Sequence, residues 1–353
     1  MKPCQDSYCV QFGDLPDMLS YHEKLCKDSR WERVEVKDLR EWHRWRRRRP
    51  CSATSPALIP RSVRRPSRIP RITCAWPSRW GGATFPLRDT AYKSLLDRAR
   101  VGGTALPKLD REKLAQVLND CLVLHKDNAL LLIRDEKVSA AHSGDSKDYS
   151  ILEIDQLLEG LREKVDRRFP GNVYVSGYSD HSVTSASWSL PNHKADLLST
   201  YEKLLEAQGQ KTVAAKLTPG IRFTTSDTGM ASAKVSALLV GLQYPIHIGG
   251  MVAVEHKGQS KITDFTDSLE MLFAQFGDSV ARLAKLISVP LEYPVNAMTA
   301  VCKKLALPKK AAMEAIAMFE TASGDSPATA HDVFMAMQEI PFILKTGGAP
   351  ESK

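Results

Sequence analysis

Apolar residues at 265, 269, 272, 276, 280, 283 and 287 recur every three or four positions through DFTDSLEMLFAQFGDSVARLAKLI. That spacing predicts one amphipathic helix over 264–287. YSILEIDQLLEGLREKVDRRF (149–169) is the clearest amphipathic helix of the chain, stopped by Pro170-Gly171. LDREKLAQVLNDCL (109–122) gathers Leu109, Leu114, Val117, Leu118 and Leu122 on one face, with Asp110 as N-cap. TAYKSLLDRARV (90–101) and HKADLLSTYEKLLEAQG (193–209) end on glycines. LPKKAAMEAIAMFETASG (307–324) opens with Pro308 at an N1-like position, and SPATAHDVFMAMQEI (326–340) opens in the same way. With 264–287 and 295–305 these segments predict a C-terminal helical bundle.

Period-two alternation marks the strands. NALLLIRDEKVSAAHS (128–143) predicts two strands around an Asp135-Glu136 turn, and NVYVSGYSDHSVTSASWSL (172–190) a hairpin turned at Ser179-Asp180. Residues 220–258 predict three strands with turns at Asp227–Gly229 and near Tyr244-Pro245. The fold class that follows is α+β: a mainly antiparallel sheet with flanking helices, a C-terminal helical bundle and a disordered Arg-rich segment near the N-terminus. One large domain is expected over 84–345, preceded by a short polar segment (1–40) and an irregular Arg/Pro-rich linker (41–83), and followed by a frayed tail (346–353).

Charge changes the picture only locally. The formal net charge of the 353 residues is +8, but residues 41–80 alone carry +10, while 1–40 and 81–353 are each at −1. All 11 basic residues of 41–80 are arginine, accompanied by four of the six tryptophans and six prolines. Three origins fit: an arginine-rich arm that contacts phosphates and stacks bases, a basic linker, or a stretch of GC-rich gene translated out of frame. Function is therefore sought in the rest of the chain.

Five of the seven cysteines lie in the first 74 residues. An odd count with no apolar leader argues for free thiols in a reducing compartment, and a cytoplasmic protein is expected. The most apolar stretch, 236–254, is broken by Gln243, Pro245, His247 and glycines and does not predict a membrane span. The spacing Cys4-x4-Cys9-x12-His22-x3-Cys26 is that of a small structural zinc site, in which four N/S donors close a tetrahedron; the bland alternative is a polar segment with ordinary thiols. No other cofactor is implied.

No H-E-x-x-H, G-x-S-x-G, G-x-G-x-x-G or Walker motif occurs. Asp227, His247 and His256 lie in neighbouring predicted strands and form a candidate metal or acid/base site if alternation puts them on one face; otherwise they are a turn aspartate and two strand-edge histidines. Lys303, Lys304, Lys309 and Lys310 place four lysines in eight residues with no acid among them, a candidate contact to a nucleic-acid backbone.

LRDTAYKSLLDRARVGGTAL, REKLAQVLNDCL, KVSAAHSGDSKDYSILEIDQLLEGL and RFTTSDTGMASAKVSALLV with IHIGGMVAVEHKG together resemble a phage/plasmid-like family of unknown function found on bacterial mobile elements. The corresponding positions are Ala91–Leu95, Ser146–Leu158, Ser226–Gly229, Gly249-Gly250 and His256, and the likeness spans about 84–345. The 41–80 block matches nothing in such a family, and the chain ends soon after Phe342 where relatives run on. The resemblance implies a prokaryotic mobile-element protein handling DNA in replication or recombination. It supplies no catalytic residue. A non-enzymatic DNA-associated protein is thus the first expectation and a metal-dependent hydrolase or nuclease the second. The third is a structural or host-interaction protein that forms a homo-oligomer.

Overall fold

The computed structural model describes residues 9–42, 73–75, 84–102, 106–145, 148–323 and 327–346, so most of the Arg-rich block lies outside the described residues. The elements begin with β1 (Cys9–Phe12), α1 (Leu15–Lys27), β2 (Arg30–Glu35), β3 (Arg40–Trp42), β4 (Thr73–Ala75), β5 (Thr84–Pro86), α2 (Asp89–Arg98), α3 (Arg111–Leu122), β6 (Asn128–Arg134) and β7 (Lys137–Ser143). There follow α4 (Ile154–Arg168), β8 (Val173–Asp180), β9 (Thr184–Ser189), α5 (Lys194–Ala207), α6 (Lys211–Lys216), β10 (Thr218–Thr225), β11 (Ala233–Val240) and β12 (Ile246–Val254). The C-terminal part is α7 (Ile262–Ala274), α8 (Phe276–Ile287), β13 (Pro290–Leu291), α9 (Pro294–Lys304), α10 (Lys309–Ser323), β14 (Ala328–Thr329), α11 (Ala330–Met337) and α12 (Glu339–Thr346). The α+β class expected from the pattern is the class observed.

The chain forms two compact units, where the sequence predicts one domain. The first comprises the described residues of 27–149, and the second those of 7–26 with 150–353. The N-terminal segment is not separate either. Its β1 pairs with β8 at one edge of the large sheet, and its β2 pairs with β6 in the first unit. Non-local pairing of short strands leaves no periodic signal in so short a segment, which is why pattern alone sets it apart.

In the first unit β2, β6 and β7 form an antiparallel sheet. The β6–β7 turn holds Asp135 and Glu136 at φ +51 and +56, the primed geometry whose twist matches the flanking strands. Ala129, Leu131 and Ile133 share a core with Leu95 of α2 and with Leu114, Leu118 and Leu122 of α3. Asp110 caps α3 as expected, its carboxylate accepting from Lys113 N at 2.9 Å.

In the second unit the sheet order is β1-β8-β9-β10-β11-β12, all neighbours antiparallel. Ala186 and Trp188, Ile221 and Phe223, and Val235, Ala237 and Leu239 point to one face, where they share a core with α4, α5, α7 and α8. All seven apolar positions of 264–287 are buried there. The single helix expected is two helices that meet at Gln275, whose φ of −85 and ψ of −1 interrupt the hydrogen-bond ladder without losing the apolar phase. The 326–340 segment likewise divides into β14, α11 and the start of α12. Helices α9 to α12 enclose a separate small core of Met298, Cys302, Ala311, Ala312, Ala315, Phe319, Val333 and Ile340. Among the described residues no helix is long and apolar enough to cross a membrane.

Candidate nucleic-acid interface

Four lysines meet where α9 turns into α10. Val301 O accepts from Leu305 N, Lys303 O from Ala306 N at 3.1 Å, and Cys302 O from Leu307 N at 3.1 Å. This pair of crossed bonds is a Schellman ending, with Ala306 at the left-handed position (φ +51) that glycine ordinarily fills. Leu307 returns to pack on the small core beside Cys302. Pro308 O then accepts from Ala312 N at 3.0 Å, so Pro308 precedes the first helical residue rather than occupying N1. The buried face of α10 is built from Ala311, Ala312 and Ala315, small side chains that permit close helix packing.

The result is two helices joined by four residues, the connectivity of a helix-turn-helix, with Lys303 and Lys304 in the last turn of the first helix and Lys309 and Lys310 opening the second. All four lysines are exposed, and among the described residues no carboxylate lies within 4.0 Å of any of them. Lys303 and Lys304 complement the negative end of the α9 dipole. Lys309 and Lys310 sit at the positive end of α10, where cations are disfavoured. Such a corner gains from an anion, which meets both ammonium groups and helix N–H groups. Glu314 and Glu320 lie further along the exposed side of α10, so the stretch of that side without acid is its first turn.

The other candidate residues do not converge. His247 pairs with Leu238 and Val254 with Ala233, so five residues of β11, roughly 17 Å at the usual rise, separate the two ends of β12. His256 lies beyond the far end. It is buried, its Nε2 is 3.3 Å from Thr225 Oγ1, and its carbonyl accepts from Ser150 N at 3.1 Å. Burial lowers the His256 pKa; the Ser150 contact and the Asp227 charge oppose this without overcoming it. Asp227 and His256 are therefore neighbours and His247 is not. The neighbouring hydroxyls staple turns: Ser226 Oγ accepts from Thr228 N and Met230 N at 3.2 and 3.1 Å. Gly249 and Gly250, with φ of +85 and +71, form the bulge that shifts the β11–β12 register.

Cys4 of the expected zinc set lies outside the described residues. Cys9 is exposed on β1 opposite Asp180. His22 is buried in α1, with its ring 5.2 Å from that of Tyr21 and 6.3 Å from that of Phe12. Cys26 Sγ donates to Asp155 Oδ1 at 3.5 Å. Burial, then the Glu153 and Asp155 charges, push its thiol pKa up to about 12. Among the described residues the one group of three potential metal ligands within 4.8 Å of one another is Cys26, Glu153 and Asp155, which shares only Cys26 with the expected set. Glu153 and Asp155 stand at the N-terminal end of α4, where acids are favoured without a metal.

A cation that charge runs do not flag is Arg222, which lies beside Ser187 and Ser236 on the face of the large sheet away from its core. Comparison of the chain with family models, curated proteins and solved structures finds no match.

Proposed function

We propose that this chain is a non-enzymatic, nucleic-acid-associated protein of a phage, plasmid or integrated element, working in the cytoplasm in replication or recombination of that element. The observation that supports it is the α9–α10 corner, where four exposed lysines gather with no carboxylate within 4.0 Å among the described residues. Lysines grip phosphates as point charges and position a protein on the backbone without reading sequence, so binding of low sequence specificity and strong salt dependence follows. A hydrolase or nuclease built on Asp227, His247 and His256 has less behind it, because β12 holds the two histidines apart.

The test uses the full chain, since β1 and β2 belong to the two sheets and deletion of everything before residue 81 would strip both. Labelled single- and double-stranded DNA are titrated at low and moderate salt with the parent and with Lys309→Ala/Lys310→Ala. Weaker binding by the double variant, with a salt slope reduced by about 2, supports the proposal. Equal binding moves the activity to the arginines of 41–80. Absence of binding by the parent, with a stable oligomer, favours an interaction protein that uses the exposed Met313 and Met318 face of α10.

A further inference from the structure

The face of the six-stranded sheet away from its core is polar along β9 and β10 and nearly devoid of acid. Across its six strands the ionisable acids and bases are Asp180, Arg222, Lys234 and His247, besides Cys9 and the tyrosines. The Asp180 carboxylate is committed to its own turn, accepting from Ser182 N, Ser182 Oγ and Val183 N at 2.7, 2.7 and 2.8 Å. A groove of about 430 Å³ crosses this face, lined among others by Gln11, Ser176, Tyr178, Ser185, Ser187 and Arg222.

Arg222 is prepared for an anion. Ser185 Oγ donates to Phe223 O at 2.8 Å and accepts from Arg222 Nε at 3.3 Å, which fixes the guanidinium from behind. Among the described residues no other hydrogen bond and no carboxylate within 4.0 Å engages Arg222, so its two terminal NH₂ groups remain available. A planar fork of that kind matches two phosphate oxygens. The hydroxyls of Ser176 and Ser187 can donate to a third oxygen or to a sugar. The β8 register shifts between Tyr174 and Ser176, and this bulge turns out Val175, half-exposed, beside the half-buried Tyr178 ring. Apolar and aromatic surface next to a phosphate fork suits a base, and the volume is that of a small-ligand site.

We propose that this groove binds a nucleotide through its phosphate, with Arg222 as the anchoring group and Ser176, Ser187 and Tyr178 around the sugar and base. It shares no residue with the lysine corner, and loss of either leaves the other to be tested. Free nucleotide and a nucleotide within a single strand present the same chemistry, so both are probed.

Calorimetric titration of the full chain at low salt compares inorganic phosphate, uridine monophosphate and a short oligothymidylate. The parent is expected to bind the monophosphate or the oligonucleotide more tightly than phosphate. Arg222→Met should weaken that binding by about tenfold or more, the effect of removing one charge-assisted hydrogen bond. Ser176→Asp, at an exposed lip that carries no core packing, should weaken it similarly by repulsion. Preference for the monophosphate identifies free nucleotide as the source, and preference for the oligonucleotide identifies a strand. Unchanged affinity in both groove variants with native circular dichroism, or no binding of any probe by the parent, overturns the proposal.

Discussion

Tyr201 Oη lies 2.7 Å from His331 Nε2, and both side chains are buried. The pair links α5, under the large sheet, to α11 of the C-terminal bundle. The phenol is neutral, its pKa raised by burial, and the direction of its hydrogen bond with Nε2 follows the imidazole tautomer. Burial lowers the imidazole's pKa, and the Asp332 charge opposes this without overcoming it. Tyr201→Phe leaves that nitrogen without its partner and is expected to cost about 1–3 kcal/mol in denaturant unfolding.

The pH dependence has a definite sign. His256 and His331 both have folded pKa values below the ordinary 6.5, so the unfolded chain takes up protons first as pH falls. Their contribution to stability is complete above about pH 6.5 and declines as pH drops below it. Unfolding midpoints between pH 8 and pH 5 should show this fall. A midpoint that rises on acidification through this range would contradict the assignment.

Ala306 stands at a left-handed position that a Cβ disfavours by roughly 1 kcal/mol. Ala306→Gly is therefore expected to raise stability by about 0.5–1 kcal/mol, measured by thermal or denaturant unfolding. A drop in stability would mean that the α9–α10 corner is not closed by the Schellman bonds described.

Thiol chemistry separates Cys9 from Cys26. Cys9 is exposed, whereas the Cys26 thiolate is disfavoured by burial and two carboxylates. At pH 8 a maleimide followed by site-resolved mass spectrometry should label Cys9 much faster than Cys26. Comparable rates would argue against the Cys26–Asp155 contact.

Much of this architecture was legible because it is periodic. The seven apolar positions from Phe265 to Ile287 are all buried, and the Asp135-Glu136 turn lies where alternation put it. What periodicity could not carry is pairing at a distance. The short CVQF strand joins β8 across more than 160 residues, and β2 joins β6 across about 95, so the division into two units was hidden. The candidate site divides along the same line. The lysines are a local run and were visible as one, whereas the separation of His247 and His256 comes from the length of β12, which carries His247 near one end and leaves His256 beyond the other. Arg222 gave no run to see; its surroundings come from three strands, and only the Ser185-x-Ser187 alternation hints at the polar face.

The most direct measurement is fluorescence anisotropy of a labelled DNA duplex against the full chain and against Lys303→Ala/Lys304→Ala/Lys309→Ala/Lys310→Ala over a series of salt concentrations. The four lysines acting on the phosphate backbone predict weaker binding by the variant and a log–log salt slope shallower by up to about 3.6, roughly 0.9 for each phosphate that a lysine no longer neutralises. Superimposable curves for the two proteins would contradict that role.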